Sequence, residues 1–184
     1  MALELWPSDA STPLLMEGLE FREWLPQDAA RMSYLFDTDQ MNRWTPLPTP
    51  FTVSVALGYV ERAHELRRRL GSLQLAVCGI GGQVVGELLL FPGRNADDLE
   101  VAYGIGADYQ GQGYASASVR AGLTLARNGG ISTTTLMIAV DNPASMAVAE
   151  RTGFMRTDVP LEERRRKGFV LQMAMWEQKL VRPA

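Results

Sequence analysis

A short run with two glycines, residues 110–115, is the feature of this sequence best suited to bind a phosphate group. The run follows a strand-like segment at residues 99–106 and precedes a helical pattern that ends near Asn128. The free N–H groups of a helix's first turn point out of its N-terminus, where they bind phosphate. Because Gly111 and Gly113 have no side chains, a pyrophosphate could approach the backbone closely. The spacing therefore predicts a site for a phosphate-bearing cofactor.

The strand that leads into this run has two unlike faces, since successive side chains point to opposite sides. The first face is bulky and consists of Leu99, Val101, Tyr103 and Ile105. The second carries one carboxylate followed by small residues only, namely Glu100, Ala102, Gly104 and Gly106. Glycine in a strand often marks the close approach of a ligand or of another backbone. We therefore expect this second face, the open face, to border a site.

The glycine run does not fit the two best-known phosphate-binding fingerprints. No Gly-Lys-Ser/Thr follows it, as a P-loop requires, and Ser116 stands where a dinucleotide fingerprint has a third glycine or alanine. The run instead fits the pattern Gln/Arg-x-x-Gly-x-Gly/Ala, which is filled by Gln110, Gly113 and Ala115. It thereby resembles the acetyl-CoA-binding motif of the GNAT superfamily of N-acetyltransferases.

Three further segments resemble the same superfamily. Residues 142–154, which begin Asn-Pro-Ala-Ser and end Arg-Thr-Gly-Phe, resemble its second cofactor-side motif, in the expected order and spacing. The opening at residues 21–29 and the proline-rich segment 44–51 resemble the RimJ/RimL-like branch, which acetylates the N-termini of ribosomal proteins. The resemblance covers residues 19–177.

The resemblance implies an α/β (α+β) fold, the GNAT fold, with a mixed but mainly antiparallel sheet of about seven strands and about four flanking helices. The fourth and fifth strands of that fold splay apart, and here they are residues 99–106 and 132–140. A single N-acetyltransferase domain is expected over residues 1–184. Within it, residues 1–18 show little periodicity and could form a loose arm.

The resemblance also implies acetyl-CoA as the co-substrate, and it implies no metal. The strand backbone would pair with the pantetheine amides, while the glycine run would hold the pyrophosphate. The implied cofactor contacts are Tyr103, Gly104, Ile105, Gly106, Gln110, Gly111, Gln112, Gly113, Tyr114, Ala115, Asn142 and Ser145.

Acetylation of an amine needs a base, because an alkyl ammonium group with a pKa near ~10 must lose a proton before it can attack. Glu100 is the candidate, since it is the carboxylate of the open face and falls where many family members carry their base. The alternative is a solvated residue at the start of a strand. The backbone N–H of Ile105 is the candidate that would stabilise the oxyanion.

The proton donor that many family members use is absent. They carry a tyrosine directly before the glutamate of the second motif, and this chain has Ala149 there. The role then falls to Ser145 or to water, and the alternative for Ser145 is simple helix capping. Asn142 could bind the cofactor, cap the helix that starts at Pro143, or do both.

The remaining elements follow from hydrophobic periodicity and turn residues. We expect helices at residues 26–37, 53–70 and 111–128, a hairpin at 72–91 and a last strand at 170–177. Residues 39–51 have the composition of a loop.

Two groups of residues could belong to an acceptor site. The aromatic residues Tyr34, Phe36, Trp44 and Phe51 could line the pocket, although aromatic residues near loops more often serve packing. The charged run at residues 162–167 is either a solvated hairpin with local ion pairs or a rim for an acidic acceptor or the CoA 3′-phosphate.

Composition indicates a globular protein and argues against several classes. The chain of 184 residues is 46% hydrophobic, which suffices to bury a core without disulfides. A net charge of −3 gives no positive field for binding nucleic acid. Cys78, the single cysteine, is expected in the core, and His64, the single histidine, at its boundary. No signal peptide and no apolar run of ~18 residues is evident, so we expect a cytoplasmic protein with no membrane partner.

The leading hypothesis for function is acetyl transfer from acetyl-CoA to a primary amine, with a protein or peptide N-terminus as the first acceptor class. A small amine, such as an aminoglycoside or a polyamine, is the second. A non-catalytic acyl-CoA-binding sensor is the third. Cofactor motifs do not separate these, because variable loops recognise the acceptor. A homodimer through the strand at residues 170–177 is also predicted.

Overall fold

Residues 12–181 are described by a computed structural model of the protein, and nine strands within this range form one sheet. The strands are β1 (Leu14–Met16), β2 (Leu19–Glu23), β3 (Leu73–Cys78), β4 (Val84–Pro92), β5 (Asp98–Ile105), β6 (Thr133–Ala139), β7 (Met155–Arg156), β8 (Glu162–Arg166) and β9 (Phe169–Lys179). They lie in the order β1-β2-β3-β4-β5-β6-β9-β7, and β8 also pairs with β9. In this part of the chain only the β5–β6 pairing is parallel, so the sheet is mixed and mostly antiparallel, as predicted.

Five α-helices occur in the same range. They are α1 (Ala29–Phe36), α2 (Asp39–Trp44), α3 (Val53–Leu70), α4 (Tyr114–Asn128) and α5 (Pro143–Arg151). Local sequence explains their ends. The Thr52 hydroxyl accepts a hydrogen bond from the Val55 amide at the start of α3, and Gly71, in the left-handed conformation, ends it.

One side of the sheet packs against α4 and α5. The bulky face of β5 is buried there, with Leu99 and Val101 at most 1% exposed beside Leu90 of β4. Gly122 of α4 lies so close to the sheet that a Cβ at this position would meet Leu90 Cδ2 at 3.2 Å. The small residue therefore allows α4 to approach the sheet closely.

The other side of the sheet is covered by α1 and α3. An aromatic chain forms the centre of this core, in which Phe36 contacts Trp24 and Phe51 edge to face at centroid distances of 6.0 and 5.8 Å. Phe36 and Phe51 are therefore packing residues, and the idea that they line an acceptor pocket is wrong. Tyr34 is exposed and donates a hydrogen bond to Asp108, away from any cavity described below.

Strands β5 and β6 separate after three residues, as the sequence predicts. Asp98, Leu99 and Glu100 pair with Thr133–Thr135, whereas β5 stays paired with β4 as far as Ile105. Beyond Glu100, no described strand pairs with the side of β5 that faces β6. Backbone N–H and C=O groups on that side are available to a ligand.

Two predicted boundaries need correction. Helix α2 lies inside the predicted loop, because the Thr38 hydroxyl caps it by accepting from the Met41 amide and Met41 is buried. Helix α4 begins at Tyr114 and not at Gly111, because Gly111 and Gly113 have φ values of +72° and +86° that a helix cannot contain.

The sheet also differs from expectation at its edges. Strand β1 lies within the predicted loose arm, whose residues 1–11 are outside the described residues. The expectation that residues 170–177 form an exposed sheet edge is wrong, because β9 pairs with β6 through Met173–Lys179, with β8 through Phe169–Met173 and with β7 at Trp176 and Glu177. The homodimer itself stays a prediction.

Candidate active site

A cavity of about 360 Å³ opens at the N-terminus of α4, beside the separation of β5 and β6. Its lining joins the end of β5, the glycine run and the first turn of α5. Ten of the predicted cofactor contacts line it: Tyr103, Gly104, Ile105, Gln110, Gly111, Gly113, Tyr114, Ala115, Asn142 and Ser145. We call this space the first cavity.

The glycine run gives the first cavity a backbone surface. Gly111 and Gly113 adopt positive φ, and a Cβ at either position would meet no atom within 4 Å. The absence of side chains therefore reflects both the turn and the open space beside it. The first-turn N–H groups of α4, which starts at Tyr114, have no acceptor within the helix. This part of the cavity fits a pyrophosphate, as in acetyl-CoA.

The Gln110 side chain holds the run in place. Its amide nitrogen donates to the Ile105 carbonyl at 3.1 Å and to Gln40 Oε1 at 2.7 Å. Gln112 behaves differently, since its side chain donates to the Asp108 carbonyl and does not line the cavity.

Gly106 also lies outside the lining of the first cavity. A Cβ at this position would clash with Cδ2 of Leu35 in α1, and its amide donates to the Val85 carbonyl at 2.9 Å. Its lack of a side chain therefore accommodates a helix and not a cofactor. Gly104, by contrast, does line the cavity, and a Cβ there would lie 3.3 Å from Cε of Met41.

A second cavity, of about 430 Å³, lies on the open face of β5. Its strand lining includes Glu87 and Leu89 of β4 and Glu100 and Ala102 of β5, so the open face borders a cavity. The two cavities share the lining residues Trp44, Thr45, Tyr103, Asn142 and Ser145. A ligand in one cavity can therefore meet a ligand in the other at this junction.

Glu100 lies half-buried in the second cavity. Burial is the main influence on its carboxyl group and raises its pKa; Arg164 opposes this change and Glu162 adds to it. A carboxylate whose pKa is raised is a stronger proton acceptor than a solvated one. The position of Glu100 is therefore suited to a base.

Asn142 and Ser145 lie at the junction and at the start of α5. The Asn142 side chain caps the helix by accepting a hydrogen bond from the Ser145 amide at 3.1 Å. The Ser145 side chain lies next to the phenol of Tyr103, whose pKa is raised by burial and lowered again by this contact. Ala149 is completely buried on α5, so the position that carries a tyrosine in many family members has no proton donor here.

Sequence reasoning missed a second carboxylate, Glu87. It is 4% exposed on β4, lines the second cavity and accepts a 2.8 Å hydrogen bond from the Tyr59 hydroxyl. Burial raises the pKa of Glu87 to about 7, although the Tyr59 hydrogen bond acts in the opposite direction. The signal that could have identified it is a lone acidic residue inside the apolar strand 84–91.

The second cavity also has a wall made by loops and the β8–β9 hairpin. Lys167 at the hairpin tip donates to the Asn42 carbonyl at 3.2 Å, which joins the hairpin to the end of α2. Arg43 stacks over Trp44, with its guanidinium carbon 4.6 Å from the ring centroid, and forms an ion pair with Asp141. These contacts position Trp44, the one predicted aromatic pocket residue that does line the cavities.

Other chemistry has less support in the described residues. Residues 12–181 contain no group of three or more His, Cys, Asp or Glu side chains able to hold a metal ion. Cys78 is 1% exposed, and burial raises the pKa of its thiol, as expected for a core residue. The hydrogen-bond partner of the His64 ring is not a proposed catalytic group: its Nε2 lies 2.9 Å from the Trp24 carbonyl oxygen. No described helix has the length and apolar character needed to cross a membrane.

Solved structures of the same fold include several acetyltransferases. RimL, a ribosomal-protein alpha-N-acetyltransferase in complex with coenzyme A, is 21% identical, with 91% of this chain and 97% of that chain covered and a TM-score of 0.80. Mycobacterium smegmatis RimJ, in complex with CoA-disulfide, is 19% identical, with 95% and 88% covered and a TM-score of 0.80. A chimera based on the spermidine N-acetyltransferase SpeG of Vibrio cholerae is 16% identical, with 87% and 94% covered and a TM-score of 0.72. At these identities the likeness establishes the fold.

Sequence comparison identifies the family. No curated protein sequence matches the chain significantly. Residues 19–155 match the family model described as an acetyltransferase (GNAT) domain. This range covers more than half of the chain and includes β5, the glycine run and the start of α5. The protein therefore belongs to the GNAT family of acetyltransferases, enzymes that take their acetyl group from acetyl-CoA.

Proposed function

We propose that this protein is an N-acetyltransferase that acetylates a primary amine, and that its acceptor is a protein or peptide N-terminus. The observation that best supports this proposal is the junction of the two cavities at five shared residues. The first cavity offers backbone and glycine, which suit a phosphate-bearing cofactor, and the second offers carboxylates, which suit an amine. Two reactants held in adjacent cavities react with a large entropic advantage.

Glu100 is the proposed base. Acetyl-CoA, when bound, supplies a thioester whose carbonyl carbon an uncharged amine can attack. The role of Glu100 is to accept a proton from the acceptor ammonium, directly or through water, so that the nitrogen lone pair becomes available. Its raised pKa and its place in the second cavity support this role.

Two further groups complete the proposed mechanism. The backbone N–H of Ile105 would donate to the carbonyl oxygen on which negative charge develops, because it lines the first cavity where β5 has left β6. Ser145 would donate a proton to the departing thiolate, with Tyr103 beside it as the second hydroxyl of the junction. The place of Ile105 in the first cavity and of Ser145 at the junction supports the two roles.

Proteins of the same fold suggest two classes of acceptor. RimL is named as a ribosomal L7/L12 alpha-N-protein acetyltransferase, which favours a protein N-terminus. The spermidine acetyltransferase of the same fold makes a small amine the second candidate. Glu87, which is buried, and Glu100, which is half-buried, are compatible with either class of amine. A non-catalytic sensor is the third candidate.

The proposal extends to organisation and location. It treats the chain as one acetyltransferase domain, in which the nine described strands form a single sheet. The protein would act in the cytoplasm, where acetyl-CoA and newly made protein N-termini are both present.

The test is release of CoA from acetyl-CoA in the presence of a panel of N-terminal peptides, aminoglycosides and polyamines. We expect peptide-dependent release, and we expect Glu100→Gln to lower kcat about 100-fold because the base is lost. Glu65→Gln, which removes an exposed carboxylate of α3 paired with Arg69, is the matched control and should leave kcat unchanged. Tight binding of acetyl-CoA without amine-dependent release would identify a sensor and contradict the proposal.

A further inference from the structure

The wall of the second cavity that β8 supplies is positively charged. Arg164 and Arg166 line the cavity from one face of β8. Arg165, between them, points to the opposite face, where its side chain is 76% exposed and pairs with Glu163. The same strand therefore carries two inward arginines and one outward arginine.

The two inward arginines differ in how well they are paired. Arg164 forms an ion pair with Glu162, with Nε 2.7 Å from Oε1. Arg166 forms no ion pair with any residue in the described range 12–181, and its buried Nε has no hydrogen-bond partner there. Burial and the neighbouring Arg164 both lower the pKa of Arg166, which reflects an environment with too little negative charge.

An unpaired buried donor destabilises a protein unless a ligand satisfies it. Guanidinium is the group best suited to a planar anion, because its N–H groups match both oxygens of a carboxylate. Because Arg166 lines the cavity and forms no ion pair in the described range, its guanidinium marks a place for a ligand carboxylate on the β8 wall.

A different part of the same cavity has the opposite character. Glu87 is buried there with the Tyr59 hydroxyl as its hydrogen-bond partner, and no described Lys, Arg or His forms an ion pair with it. The lining also includes the apolar residues Leu47, Leu89, Phe91 and Met173. The cavity thus offers a carboxylate for a cationic group, apolar surface and an arginine for an anionic group.

We propose that the acceptor carries a primary amine and a carboxylate in the same molecule, with the carboxylate held by Arg166 and the ammonium group received by the carboxylates Glu87 and Glu100. This inference rests on the proposed function, which supplies the amine. A purely cationic acceptor, such as a polyamine, would place positive charge against Arg164 and Arg166, and like charges in a confined site repel. The acceptor is thus an acidic N-terminal peptide or a free amino acid with its carboxylate intact.

The experiment uses acceptors in matched pairs that differ by a single charge. One arm compares peptides with Glu at the second, third or fourth position with the same peptides carrying Gln. A second arm compares free amino acids with their amides, and spermidine is included as a cation without an anion. We expect KM to be about tenfold lower for the acidic member of one pair, because an ion pair is gained in a partly buried site. The arm that shows the difference identifies the source of the carboxylate.

Two variants assign the effect to one residue. Arg166→Gln should raise the KM of the acidic acceptor about tenfold and leave that of the neutral acceptor unchanged, with kcat little affected. Arg166→Lys should restore part of the discrimination. Arg165→Gln, on the outward face of the same strand, should change neither value. Acetyl-CoA affinity and thermal unfolding, measured for each variant, show whether the fold is retained.

The outcomes separate this inference from the proposed function. Equal KM values for acidic and neutral acceptors, or discrimination that survives Arg166→Gln, would overturn the inference while acetylation itself continued. Absence of acetylation for every amine would contradict the proposed function. In that case, calorimetry with the same acceptor pairs still decides the inference: tighter binding of the acidic member that is lost in Arg166→Gln supports it, and equal binding overturns it.

Discussion

The two cavities of this protein are built in different ways. Half of the residues that line the first come from one stretch of chain, which comprises the end of β5, the glycine run and the start of α4, and the others lie in or beside α2 and α5. The second is lined by residues of α3, β4, β5, the hairpin β8–β9 and the loop after α2. A backbone site requires glycine at fixed positions and leaves a short motif, whereas a side-chain site draws on residues far apart in sequence. We therefore expect the cofactor to be a property of the family and the acceptor to depend on this chain's own side chains.

The largest expected effect tests the first cavity, where the glycine run lies. Gly113→Val should weaken CoA binding roughly 100-fold, because a β-branched side chain would occupy the space beside the run and strain a φ of +86°. Isothermal calorimetry with CoA measures this change.

Gly82→Val is the control for backbone strain. Gly82 has a φ of +79° in the β3–β4 turn, and a Cβ there also meets no atom within 4 Å. Both variants should lose similar stability, but only Gly113→Val should lose CoA affinity. Equal CoA affinity in the two variants would mean that the run does not hold the cofactor.

The second prediction concerns the second cavity and the pH dependence of protein stability. Because burial raises the pKa of Glu87 to about 7 from 4.5, the folded state holds this proton more strongly than the unfolded state. Stability should therefore fall as pH rises from about 4.5 through about 7 as Glu87 ionises in its buried site. Glu87→Gln keeps an acceptor for the Tyr59 hydroxyl and removes the charge. It should be more stable than the natural protein by about 3 kcal/mol at pH 8, and by only about 1 kcal/mol at pH 5.

Urea unfolding at the two pH values provides the measurement. Glu65→Gln, which changes an exposed carboxylate, should show no pH-dependent difference from the natural protein. A constant difference between pH 5 and pH 8 for Glu87→Gln would show that Glu87 is ionised at both values, contrary to this account.

The third prediction tests the junction of the two cavities. Ser145→Ala should lower kcat about tenfold if the hydroxyl transfers a proton, while CoA affinity changes little. The Asn142 cap of α5 is retained, because it accepts from the Ser145 amide and not from the hydroxyl. Steady-state kinetics and CoA binding together decide the role, and an unchanged kcat in Ser145→Ala would show that the hydroxyl transfers no proton.

The smallest expected effect concerns the hydrogen bond between Tyr59 and Glu87 in the second cavity. Tyr59→Phe removes the hydrogen bond that lowers the pKa of Glu87, so the pH at which stability is lost should move upward. The loss of one hydrogen bond to a partly ionised group should cost about 1 kcal/mol. Unfolding at several pH values measures the displacement, and a midpoint that moves downward would contradict the assignment.

More of the first cavity than of the second could be predicted from the sequence, and the reason is physical. The glycine run and the Asn142 cap could be predicted because each depends on neighbouring residues, whereas the splayed strands were expected from the family resemblance alone. Glu87 could not, since its partner Tyr59 is 28 positions away and only the packing of α3 on the sheet brings them together. Gly106 was assigned to the cofactor because a glycine gives the same signal whether a ligand or, as here, Leu35 approaches it.

The most direct test of the account is mass spectrometry of an acidic N-terminal peptide after incubation with acetyl-CoA and the protein. The account predicts one added acetyl group, located at the α-amine by fragmentation and formed about 100-fold more slowly by Glu100→Gln. An unmodified peptide under conditions in which the protein binds acetyl-CoA would contradict the claim that the two cavities form one acetyl-transfer site.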